Sequence, residues 1–120
     1  MKYELTNETI KHCGRKLYRI RCIAKNAHAK PGDIGGFVEG TENLSENAWV
    51  GGDAKVFENA HICGDATVCG DATVYDNAKI FGWAKVYGDA MVFGNTRVYG
   101  DFSYRATKLS QPNGKLSNST

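Results

Sequence analysis

A strict period of six runs through the second half of the chain. From Ala48 it reads AWVGGD, AKVFEN, AHICGD, ATVCGD, ATVYDN, AKIFGW, AKVYGD, AMVFGN, TRVYGD and FSYRAT. Val or Ile stands at 50, 56, 62, 68, 74, 80, 86, 92 and 98, and Tyr104 closes the row. Ala stands two residues earlier up to position 90, followed by Thr96 and Phe102. A helix advances 3.6 residues per turn and cannot keep such a stripe on one face. Ala-x-Val reads instead as a short strand, with Ala and Val on one side and the residue between them on the other. A Gly-Asp, Asp-Asn or Glu-Asn pair then offers residue types that tolerate positive φ. Each hexad therefore predicts one strand and one corner. Three corners close a triangular coil of about 18 residues, and coils stack at the parallel-strand spacing of about 4.8 Å.

The repeat resembles the hexapeptide-repeat, left-handed parallel β-helix proteins, through [Val/Ile]-x-x-x-Ala-x as in Val68-Cys69-Gly70-Asp71-Ala72-Thr73. The left hand is what that resemblance implies. Residues 44–104 form the predicted β-helix. Ahead of it, residues 1–43 are expected to form a cap and lead-in loop. YELTNETI and KLYRIRCIA form a hairpin about a turn at His12-Cys13-Gly14-Arg15, and AKNAHAKPGDIGG follows. A solenoid end exposes bare backbone and a cut core, so it requires such a cover. Residues 105–120 are read as a polar, frayed tail. YRIRCIA, PGDIGGFVEGTENLS and the V-x-G-[DN]-A repeats together resemble the small YdcK-type hexapeptide proteins of bacterial genomes and phages. That likeness implies a prokaryotic or phage origin and brings no catalytic residue with it.

Composition narrows the function classes. Across 120 residues Lys+Arg number 15 and Asp+Glu 13. This is neither an acidic mimic of nucleic acid nor a domain held chiefly by phosphate attraction. The 14 glycines and only 2 prolines fit many tight corners rather than a disordered linker. Nothing approaches the roughly 20 apolar residues of a membrane span, and MKYELTNETIKHCG has no secretory core. A cytoplasmic location is expected, in the host cytoplasm if the chain is phage-encoded. Cys13, Cys22, Cys63 and Cys69 lack metal-ligand spacing and are expected to be free thiols.

Stacking at 18 residues assigns the outward positions to three walls. The first carries Trp49, Gly51, Thr67, Cys69, Lys85, Tyr87 and Ser103. The second carries Lys55, Phe57, Thr73, Tyr75, Met91 and Phe93. Its Phe57, Tyr75, Met91 and Phe93 form the candidate interface of a homo-oligomer, a dimer or trimer. The other reading is a ladder that only stabilises its own strands. The third wall carries His61, Cys63, Lys79, Phe81, Arg97 and Tyr99. Cations beside aromatics suit a nucleotide, a nucleic-acid strand or an acidic protein surface; the plain alternative is a solvated face. Trp83 occupies a corner where Asp65 and Asp101 stand above and below, and joins His61, Lys79, Phe81, Arg97 and Tyr99 as a candidate partner contact.

Asp53, Asp71 and Asp89 line one edge and Asn59, Asn77 and Asn95 another. Local backbone needs explain both columns better than Ca²⁺ binding does, so no metal and no cofactor is expected. Hexapeptide acyltransferases need a positioned base, usually His. His12, His28 and His61 fall in three separate segments, and the repeat has no inserted loop to build a site. The resulting expectation is a non-catalytic β-solenoid that binds or oligomerises, as a phage accessory factor blocking a host defence macromolecule. A hexapeptide acyltransferase and an oligomeric sponge for a nucleotide signal are the alternatives.

Overall fold

Strands form where the hexads place them. The computed structural model describes residues 2–26, 28–45, 47–100, 103–104, 108–110 and 115–117. The first strands are β1 (Tyr3–His12), β2 (Arg15–Cys22) and β3 (Ile34–Val38), followed by a 3₁₀ turn at Thr41–Asn43. The repeat then supplies β4 (Trp49–Val50), β5 (Lys55–Val56), β6 (His61–Ile62), β7 (Thr67–Val68), β8 (Thr73–Val74) and β9 (Lys79–Ile80). It continues through β10 (Lys85–Val86), β11 (Met91–Phe93), β12 (Arg97–Tyr99) and β13 (Ser103–Tyr104). The last strands are β14 (Lys108–Ser110) and β15 (Lys115–Ser117).

These strands make a parallel β-solenoid of three sheets. One sheet runs β4-β7-β10-β13, a second β6-β9-β12-β15, and the third carries β3-β5-β8-β11-β14 with the β1-β2 hairpin added at its end. Trp49 pairs with Thr67, Thr67 with Lys85 and Lys85 with Ser103, so each coil returns after 18 residues. The same step joins Lys55, Thr73 and Met91 on the second wall, and His61, Lys79 and Arg97 on the third. The three outer walls are those the period predicts. Among the described residues there is no α-helix.

Inside, the nine Val and Ile side chains from 50 to 98 have no exposed surface, and the Ala row is buried beside them. A triangular coil leaves room for only one small and one medium residue per side. Thr96 fits the Ala row because its Oγ1 donates to the Phe93 carbonyl at 2.8 Å. Backbone ladders continue through the corners as well as the strands. Asp53 N–H reaches Gly70 O at 2.9 Å, and Trp83 N–H reaches Gly100 O at 2.9 Å. The residue after the positive-φ corner position thus serves through its backbone, and its side chain is free to vary.

Two corners put an acid where the others put Gly. Glu58 and Asp76 adopt φ of 59° and 61°. Glu58 Oε1 accepts from Asp76 N–H at 2.9 Å, Asp76 Oδ2 from Gly94 N–H at 3.0 Å, and Glu39 Oε1 from Glu58 N–H at 2.7 Å. Each carboxylate caps the backbone of the next coil, which offsets the left-handed strain.

The hairpin does two things. On one side Tyr3, Ile20 and Cys22 join the solenoid core and close its first coil. Gly35 and Gly36 let β3 lie close over that coil: a Cβ on Gly36 would sit 2.5 Å from the Ala54 carbonyl oxygen. On the other side Leu17 packs with Phe37 and Phe57, and Ile10 joins them. The hairpin tip therefore bends down over the second wall rather than lying wholly across the end. Arg19 clamps the join, with its guanidinium 4.3 Å from the Phe37 ring centroid and Nη1 donating to Gly35 O at 2.7 Å.

The ladder also runs past position 104. β14 pairs in parallel with β11 and β15 with β12, inside the segment read from sequence as a frayed tail. Asp101 and Phe102, read as a corner and an inward residue, lie outside the described residues.

Candidate functional site

The second wall is partly spoken for by its own chain. Phe57, Tyr75 and Phe93 stack in a column, with centroids 5.3 Å apart at each step and rings 4° and 7° from parallel. The Phe57 ring is only 3% exposed, because Leu17 and Phe37 cover it and His12 meets it edge-on at 5.3 Å. Phe57 is thereby corrected from candidate interface to intramolecular core. The period places it on an outer wall, but nothing in the period shows that the hairpin folds over that wall. Tyr75, Met91 and Phe93 remain half-buried and face outward. Burial raises the Tyr75 phenol pKa above its usual range, with further contributions from the Asp76 carboxylate, the Cys13 thiol and Glu58.

The third wall is open. Lys79 and Arg97 are exposed and pair in register, and His61 stands above them with its Nε2 and the Ser45 hydroxyl 2.8 Å apart. Strand β15 places Lys115 next in the same backbone column, below Arg97. Phe81 and Tyr99 stack with centroids 5.2 Å apart and planes 8° from parallel. Their facing surfaces are spent on each other, so ring edges point outward. An aromatic edge carries the positive end of the ring quadrupole. The wall is thus electropositive at its rings as well as at its cations. It offers little open ring face for a nucleobase to stack on, which weighs against the nucleotide reading.

Trp83 lies at the corner leading from the third wall to the first and is 60% exposed. Its backbone N–H makes the standard corner bond to Gly100 O. The three histidines stay apart. His12 sits on Phe57, His28 Nε2 meets the Asp65 carbonyl oxygen, and His61 meets Ser45. Among the described residues, no group of three His, Cys, Asp or Glu side chains is placed to hold a metal ion. Nor is any helix there long and apolar enough to cross a membrane. Asn59 Nδ2 donates to Asn77 Oδ1 at 3.2 Å, so that part of the Asn column supports register.

The acidic corner was not singled out from sequence. Arg15 Nη1 pairs with Glu39 at 2.7 Å, and Nη2 lies 3.6 Å from Glu58. A groove of about 700 Å³ runs down this corner past Glu42, Glu58 and Asp76. The signal was present: VFEN and VYDN, 18 residues apart, both replace the corner Gly with an acid.

With this geometry in place, a family profile of the YdcK β-solenoid repeat matches residues 84–100. The chain carries a YdcK-type repeat. The matched stretch runs from β10 to β12 and so samples all three walls of the YdcK-like coil, including Arg97 and Tyr99. Comparison with curated proteins found no match.

Proposed function

We propose that this YdcK-like solenoid is a non-catalytic binding scaffold, a phage or prophage accessory factor whose third wall holds an acidic surface of a host macromolecule. The observation that carries the proposal is the edge-outward stacking of Phe81 on Tyr99 beside exposed Lys79 and Arg97. Carboxylates meet both the cations and the ring edges favourably. A stacking base would find the two facing ring surfaces already occupied by each other. Strands locked on both sides keep these side chains in place before binding, which lowers the ordering cost of association. Trp83 at the neighbouring corner is suited to anchor one edge of such a partner.

The test is paired capture from phage-infected host lysate with wild type and with the Lys79→Glu/Arg97→Glu double variant. Both side chains are exposed, so the variant is expected to keep its fold and melting behaviour. An acidic host protein should be retained by wild type and released as salt rises from about 50 to 300 mM. Its affinity should fall at least about tenfold in the variant. Identical captured proteins and identical salt sensitivity in both forms would reject the wall as the binding surface.

A further inference from the structure

The hairpin tip and the second wall enclose a pocket of about 300 Å³ that neither element has alone. His12 and Cys13 roof it, Phe57, Tyr75 and Met91 supply its apolar floor, and Glu58 and Asp76 stand at its corner edge. We infer that this pocket binds a small organic cation, an ammonium on a short aromatic or alkyl body.

The volume is at the lower end for ligand sites and suits a body of one ring. The head group follows from what each acid is already doing. Glu58 Oε1 accepts from Asp76 N–H, and its Oε2 lies 3.6 Å from Arg15, a guanidinium it shares with Glu39, so both of its oxygens have a partner. Asp76 Oδ2 accepts from Gly94 N–H, and among the described hydrogen bonds Oδ1 is not engaged. An ammonium at that oxygen completes the carboxylate while the body lies against Tyr75 and Met91. The Tyr75 phenol pKa is raised first by burial against this wall, and the nearby Asp76 and Glu58 carboxylates add to it. An anionic ligand would meet two carboxylates, and a neutral one would cover Asp76 without pairing it. This site lies on a different wall from the proposed protein contact, so either can fail without the other.

The test uses the full chain and three probes sharing one body: 2-phenylethylamine, 2-phenylethanol and phenylacetate. Amide and side-chain NMR shifts are followed at residues 12–15 and 73–76. The amine should give saturable shifts at these positions and bind about tenfold or more tightly than the alcohol, with phenylacetate weakest. Asp76→Asn keeps an acceptor for Gly94 N–H and should weaken the amine severalfold without changing the alcohol. Thr73→Trp, which fills the pocket, should remove the shifts for both. Equal binding of amine and alcohol, no saturation, or an unaffected Asp76→Asn variant would overturn the inference. So would shifts at these residues that depend on protein concentration without probe, which would assign the face to a second copy.

Discussion

Asn43 shows how much one side chain can hold. It is fully buried, and its Oδ1 accepts from Glu39 N–H at 3.1 Å and Gly40 N–H at 2.9 Å. Its Nδ2 donates to Glu58 O at 3.2 Å and Ala60 O at 2.8 Å. In sequence it is one Asn within TENLSEN, and no pattern marks it. Tyr3 is similar: its hydroxyl lies 2.8 Å from Leu44 O and 3.0 Å from Thr41 O. Burial, helped by the Glu42 carboxylate, raises its pKa from near 10 to about 12. A raised phenol pKa means that the fold prefers the neutral form. That contribution to stability is whole below pH 10 and is lost as pH climbs from 10 towards 12. The urea midpoint of wild type should therefore fall more steeply than that of Tyr3→Phe between about pH 9 and 11.5. Parallel pH profiles for the two proteins would remove Tyr3 as the titrating group.

The corner is the element on which stacking depends. Gly70 sits at φ +69°, and a Cβ there would lie 2.9 Å from Gly88 N. Glu58 and Asp76 carry a Cβ in the corresponding left-handed slot and answer it with a bond to the next coil. Gly70→Ala brings strain without that bond and should cost about 2 kcal/mol. Gly70→Asn tolerates positive φ and offers Oδ1 to Gly88 N–H, and should recover about 1 kcal/mol of the loss. Urea denaturation of the pair decides it, and equal losses would sink the capping account of the acidic corners. Strands β4 to β13 were legible because Val, Ile and Ala recur in phase. Strands β14 and β15 were not. Leu109 falls five residues after Tyr104 and Leu116 seven after that, and Thr107 and Gly114 stand where the pattern asks for Ala. The pairing of Met91 with Lys108 accordingly closes one residue early, and Arg97 with Lys115 restores the step.

The whole molecule measures 39 × 31 × 22 Å and joins a hairpin to a stack of coils. Contacts in such a stack run mainly between neighbours, so damage at one end need not spread. Leu17→Ala opens the small cluster beneath the hairpin and should cost about 3 kcal/mol. Hydrogen exchange should then quicken in residues 10–17 while the amides of β7 and β10 stay protected. Faster exchange throughout would mean that hairpin and coils unfold as one unit. The same join decides the candidate surfaces, since it withdraws Phe57 from solvent, leaves the third wall open and creates the pocket under Cys13. Periodicity alone determined the strands, the corners and which side chains point inward, because a two-residue side-chain alternation is locked to a six-residue corner. The pairing of Lys55 with Thr73 and of His61 with Lys79 then fixes three corners to a coil and with them the walls. Tertiary structure decided which wall is covered, which way the ring faces point and where the acids cap the next coil. Those outcomes depend on segments distant in the chain meeting in space, and no local repeat encodes that meeting.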